Sequence, residues 1–164
     1  MPFASHIRSE RSDDHAAIEK LIRAAFFGKP YSEGDEAELV QKLRDHNALS
    51  VSLVAELDGK VVGHIGFSPA YPTDGTPGWY ALGPLAVQPS VQRNGIGSQL
   101  VHAGLQALIG LGASGCILVG DTRYYARFGF ECAPSFAPSS EPAEFFMVKL
   151  LGGPLPQGPI SFHR

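Results

Sequence analysis

The stretch "WYALGPLAVQPSVQRNGIGSQLV", residues 79–101, sets a β-rich run, a Gly-Pro pair, a polar loop and a helical pattern directly in line. Proline brings no N–H to a ladder and glycine inside a strand marks a bulge. Gly83 and Pro84 therefore predict that the strand over 79–87 loses its pairing near them. Beyond the loop, Ile96, Leu100, Val101, Leu105 and Leu108 recur at helical spacing, and "GLGASG" closes the helix. A helix entered this way leaves its first-turn N–H groups without intrahelical partners, and together with the helix dipole they favour an anion. Gly95 and Gly97 remove side chains that would hold a phosphate off the backbone, and Arg93 adds a cation. The same two glycines equally suit a tight turn that lets a helix pack close to its strand. Leu100 stands where a dinucleotide fingerprint has its third glycine, and the Gly-Lys-Ser/Thr ending of an ATP-type phosphate loop is absent.

The flanking segments define an α/β (α+β) chain. Residues 6–9 suit a strand. "SDD" then offers caps for a helix over 13–26 carrying Ile18, Leu21, Ile22, Ala25 and Phe26 on one face. "FGKPYSEG" breaks it, and "DEAELVQKLRD" resumes as a second helix with Ala37, Val40 and Leu43 inward. "LDGK" is a hairpin signal between strands at 50–57 and 60–68. After the central helix come the strand "CILVG", a short helix capped by Asp121 and stopped by Gly129, and a late strand in "AEFFMVKLL". The predicted order is β1-α1-α2-β2-β3-β4-α3-β5-α4-β6-β7. The front half is antiparallel, and one right-handed crossover is parallel. A single domain over 1–164 is expected, with 152–164 as a C-terminal extension. Its Ile160 to Phe162 would add an edge strand or cross to a partner subunit, which leaves a homodimer open.

A net charge of -3 with 18% charged residues gives no basic footprint, so nucleic acid and anionic membrane surfaces are not expected partners. No eighteen apolar residues run together and no secretory leader pattern is present, which predicts a cytoplasmic protein. The two cysteines show no metal-ligand spacing, so no metal is expected. Cys116, inside an apolar run, suits a buried inert thiol.

Taken together, "LGPLAVQPSVQRNGIGSQLV" and the later "LVGDTRYYARFGF" resemble the GNAT superfamily of acetyl-coenzyme A-dependent N-acetyltransferases, over about residues 5 to 150. Gln92, Gly95 and Gly97 match the family signature of Gln or Arg, two free positions, Gly, one free position, and Gly or Ala. The resemblance implies a GNAT-like mixed sheet splayed between strands 4 and 5, and acetyl-coenzyme A as acyl donor. Leu85, Ala86 and Val87 would pair through their backbone with its pantetheine arm. The amides of Gln92, Arg93, Asn94, Gly95, Ile96, Gly97 and Ser98 would hold its pyrophosphate. Catalysis would fall to the Val87 N–H, facing the oxyanion, and to Tyr125, giving a proton to the departing thiolate; Tyr125 and Phe128 would also contact the coenzyme.

Direct attack by an amine of a small molecule or an amino terminus is implied, with no acyl-enzyme. Phe26, Phe27, Tyr31, Tyr71 and Trp79 are candidate walls of the acceptor pocket. Glu33, Asp35, Glu36 and Glu38 could attract a cationic amine, although acids in a helix's first turn stabilise its dipole regardless. Two features depart from the family pattern: Leu118 stands where an Asn is common, and "WYALGPL" lacks the Glu that many relatives use as a base. His64 is a candidate base in its place. The missing acid also suits a competing reading from another class, a non-catalytic acyl-coenzyme A sensor.

Overall fold

Asp58 and Gly59 both take positive φ, 52° and 76°, the backbone a two-residue type I′ turn demands. They join β2 (Val51–Leu57) to β3 (Lys60–Pro72) as an antiparallel pair, with β1 (His6–Ser9) antiparallel on the other edge of β2. This is a computed structural model that describes residues 5–163. The remaining elements are α1 (His15–Phe26), α2 (Glu36–Asp45), β4 (Trp79–Val87), α3 (Ile96–Gly110), β5 (Gly115–Val119), α4 (Thr122–Ala126), β6 (Glu131–Cys132), β7 (Phe146–Leu150) and β8 (Ile160–Phe162). The predicted order holds from β1 to α4; the two-residue β6 is an element the sequence pattern does not announce, and the late strand expected in "AEFFMVKLL" is β7. The eight strands form a mixed sheet in the order β1-β2-β3-β4-β5-β7-β6, with β8 on β3.

Backbone contacts divide the described residues into two compact units. One holds the chain up to Phe67 together with Pro84–Leu105, and the other holds Ser68–Gly83 and Gln106 onward. In the first, Ile18, Leu21, Ile22 and Ala25 of α1 and Ala37 and Val40 of α2 bury against Val54 and Ala86. That apolar stripe is what the helical spacing predicts. Asp14 does not cap α1 through its side chain. Its carboxylate accepts the Arg11 N–H at 2.7 Å and both terminal nitrogens of Arg8 at 2.7 and 3.0 Å. The hydrogen bonds from Arg8 hold its pKa down to about 2. The first half of α3 lies close on β3. A Cβ at Gly63 would sit 2.8 Å from Leu100 Cδ1 and 3.0 Å from Ile96 Cγ2, and one at Gly104 would overlap the Phe67 ring.

In the second unit β4 and β5 run parallel, but their ladder is only three pairs long and ends at Ala81 and Ile117, two residues before Gly83. Pairing with β5 thus ends near the Gly-Pro break, slightly earlier than its own position, while β4 itself runs on to Val87. β5 and β6 each pair antiparallel with β7. β3 extends four residues past the predicted end because Ala70–Pro72 pair antiparallel with Ile160–Phe162 of the same chain. The tail is tied down further: the Thr73 N–H donates to the Pro159 carbonyl at 2.9 Å and the Gln157 N–H to Asp74 Oδ2 at 2.8 Å.

Candidate functional site

In the first unit β4 delivers the chain into a loop whose backbone is fixed from several sides. The Gln88 N–H donates to the Val62 carbonyl at 2.8 Å, and Nε2 of Gln92 donates to the Val87 carbonyl at 2.9 Å. Pro89–Val91 form one 3-10 turn, after which Arg93 and Gly95 take positive φ of 67° and 85°. Arginine rarely accepts that backbone, so its presence marks a conformation the surroundings impose. Nδ2 of Asn94 donates to the carbonyls of Val91 and Gln92 at 3.1 and 3.0 Å. The Gln92 N–H makes a long turn bond to the Pro89 carbonyl at 3.5 Å.

The helix that follows starts at Ile96, whose side chain is buried. Gln99 donates its N–H to the Gly95 carbonyl at 3.0 Å, as the first residue able to close an α-helical turn. The amides of Ile96, Gly97 and Ser98 precede that bond and have no intrahelical acceptor. Left-handed residues alternating with ordinary ones, followed by a helix N-terminus, make an arrangement that favours an anion, and Arg93 is exposed there. Such donors could hold a diphosphate. Leu85 and Val87 are half-buried and Ala86 is buried, the alternation of a strand with one face on the core.

In the second unit Asp121 caps α4, its Oδ1 accepting the N–H groups of Arg123 and Tyr124 at 2.9 and 3.2 Å. This cap holds the helix turn that carries Tyr125. Tyr125 packs edge-on to Tyr124 and Phe130, with ring centroids 5.0 and 6.0 Å away, and its ring fills the space beside Gly120. Phe128 is buried, 5.3 Å from the Tyr124 ring, so its side chain is part of the packing beneath α4. Trp79 is also core. Only 2% exposed, it packs its ring over Gly115 among Ile117, Phe146 and Ile160, which removes it from the walls of an acceptor pocket. Burial drives the Cys116 thiol pKa upward, out of a nucleophile's range. Cys132 is exposed, and both cysteines are free.

The break between α1 and α2, again in the first unit, lines a cavity of about 470 Å³ with Ile22, Phe26, Phe27, Lys29, Glu33 and Glu36 among its residues. Of the predicted acceptor residues, Phe26 and Glu33 line this space, and Tyr31 stacks edge to face on Phe26 at 6.2 Å. Two of the acids have protein partners: Glu36 receives the Ser32 hydroxyl at 2.8 Å, and Glu38 pairs with Arg23 at 2.7 Å. His64 lies elsewhere. Fully buried on β3, its Nε2 meets the Ser52 hydroxyl at 2.9 Å, and Nδ1 has no partner. Desolvation lowers its pKa to about 4, which makes it a poor base for an alkylammonium group. The polar chain that continues from it, through Ser52 to Glu10 and Arg44, carries no local sequence signal, because its members come from four separate elements or their flanks.

Among the described residues no group of His, Cys, Asp and Glu could hold a metal ion, and no helix is long and apolar enough to cross a membrane. Comparison with known proteins finds relatives over most of the chain. The model of the acetyltransferase (GNAT) family matches residues 15–130. A crystal structure of a GNAT family acetyltransferase from Brucella melitensis, in complex with acetyl-CoA, is 44% identical with a TM-score of 0.87, covering 98% of this chain and 96% of that one. The uncharacterised N-acetyltransferase YhbS of Escherichia coli is 38% identical over 129 residues, 77% of this chain and 74% of its own length. Its crystal structure in complex with CoA superposes with a TM-score of 0.89 at 30% identity, covering 99% of this chain and 92% of that one. With the strand order, the parallel β4-α3-β5 crossover and the anion-ready loop, these matches establish that the chain belongs to the acetyltransferase (GNAT) family.

Proposed function

We propose that the loop from Gln92 to Ser98 holds the pyrophosphate of acetyl-coenzyme A, and that the protein passes the acetyl group directly to an amine of a small molecule or an amino terminus. The observation that carries this reading is the alternation of left-handed Arg93 and Gly95 ahead of the first-turn amides of α3, which helix geometry leaves without intrahelical acceptors. The Brucella relative with acetyl-CoA and YhbS with CoA, both aligned over nearly the whole chain, support the donor. When bound, the donor supplies an activated thioester carbonyl. Leu85 and Val87 would offer backbone groups of a half-buried strand to its pantetheine arm, and the Val87 N–H would stabilise the oxyanion. Tyr125 would give a proton to the departing thiolate. A phenol near pKa 10 can serve a thiol near 8.5 only where the two are aligned and water is excluded.

An alkylammonium substrate must first lose a proton, at a cost of about 4 to 5 kcal/mol at pH 7. Neither β4 nor His64 offers a competent base. The favoured acceptor is therefore an amine of lowered pKa, or one that gives its proton to water. The exposed free thiol of Cys132 is at home in a reducing compartment, so we place the reaction in the cytoplasm. Titration of acetyl-coenzyme A into the wild type and Gly95→Glu tests the loop. The variant is expected to bind at least about 100-fold more weakly, from bulk and like charge at the phosphate position; equal affinity would reduce the loop to a turn. The missing base keeps the acyl-coenzyme A sensor as a second reading, and its outcome is tight binding without turnover on any amine.

A further inference from the structure

We infer that the side chains of Gln92 and Asn94 are positioning groups, which act by holding carbonyl groups of the loop away from the pyrophosphate rather than by touching it. A loop that cradles an anion must present N–H groups on one side, and a carbonyl oxygen turned the same way repels the ligand. Two side-chain amides meet that demand here. Nε2 of Gln92 holds the Val87 carbonyl at 2.9 Å, and Nδ2 of Asn94 holds those of Val91 and Gln92 at 3.1 and 3.0 Å. The two N–H bonds of Asn94 are thus matched by two carbonyls. The peptide unit joining Val87 to Gln88 is fixed at both ends, because its N–H is bound to Val62 at 2.8 Å. That unit is the exit of β4 into the loop. Fixing its plane sets the direction from which Arg93 and Gly95 enter their left-handed conformations. An arginine at position 92 would also carry N–H donors on a side chain long enough to reach back to that carbonyl.

The inference rests on the donor reading above, and the experiment separates the two. Coenzyme A is titrated into the wild type, Gln92→Met and Gln92→Arg, and the Gln92 side-chain NH₂ signal of the wild type is followed by NMR. Methionine keeps length and neutrality but cannot donate, so affinity is expected to fall about tenfold, the loss of one hydrogen bond's positioning. Arginine is expected to restore affinity to within about threefold, and Asn94→Leu to weaken binding as methionine does. Gln92 is exposed, so melting temperatures should stay within about 2 °C of wild type. On ligand addition the Gln92 NH₂ signal should move less than the backbone amides of Gly95 to Ser98. Wild-type affinity in Gln92→Met, failure of arginine to restore it, or a Gln92 NH₂ signal that moves more than those amides would overturn the inference. Absence of coenzyme A binding by the wild type would instead sink the donor reading itself.

Discussion

The Ser52 hydroxyl donates to Glu10 Oε1 at 2.6 Å and sits 2.9 Å from Nε2 of His64. A hydroxyl has one proton, and a carboxylate can only accept, so His64 must donate from Nε2 and keep a bare lone pair on its buried Nδ1. Neutral His64 is built into the first unit. Burial works to raise Glu10, but hydrogen bonds from Arg44 and Ser52 overcome it and hold the carboxyl below its usual range.

These groups give a pH dependence of definite sign. His64 titrates near 6.5 when unfolded and near 4 when folded, so between those values the unfolded chain binds more protons. Stability is therefore fully present above pH 6.5 and falls as pH drops toward 4, by roughly 3 kcal/mol from this residue. Asp14, held down to about 2, adds a further loss as pH falls below 3.8. Urea unfolding of the wild type and His64→Leu at pH 7 and pH 5 checks this, and the drop between the two should be clearly smaller in the variant.

Tyr125→Phe removes only a hydroxyl from a ring whose packing on Tyr124 and Phe130 is retained. Acetyl-coenzyme A affinity should stay within about twofold while kcat falls at least about tenfold, the scale of a lost general acid. Steady-state kinetics at saturating donor separates the two quantities, and an unchanged kcat would remove Tyr125 from the proton step.

Gly63→Ala drives a methyl group against Leu100, Ile96 and Ala55 at 2.8 to 3.2 Å. Overpacking of this kind costs about 1 to 3 kcal/mol. Because Ile96 opens α3, the displaced helix start should also weaken donor binding. A variant as stable as the wild type in chemical denaturation would contradict the packing.

Asp121→Ala removes the acceptor for two N–H groups at the start of α4, with an expected cost of about 1 kcal/mol. Since that turn carries Tyr125, kcat should fall with stability. Thermal unfolding and kinetics on the same preparation test both.

What the sequence made legible is what local chemistry decides. The Asp58-Gly59 hairpin, the α1 and α3 stripes, the Asp121 cap and the Gly83-Pro84 break each rest on residues within one turn or strand. Its misreadings were at long range. Asp13 and Asp14 read as helix caps, yet Asp14 is claimed by Arg8 on β1, and β3 ends late because a tail some 90 residues away pairs with it. Trp79, an aromatic beside a loop, is core because Gly115, on a neighbouring strand, leaves room for its ring. His64 reads as a candidate base on its strand, whereas its burial and its Ser52 partner come from elements that no local pattern connects.

The central claim is transfer of an acetyl group from acetyl-coenzyme A to an amine. Thiol release by the purified protein, measured with acetyl-coenzyme A and a panel of alkyl, aryl and amino-terminal peptide amines, tests it most directly. Amine-dependent release that is lost in Gly95→Glu and strongly reduced in Tyr125→Phe is the predicted result. Release no faster than the amine-free background with every amine, in a protein that still binds the coenzyme, would contradict it.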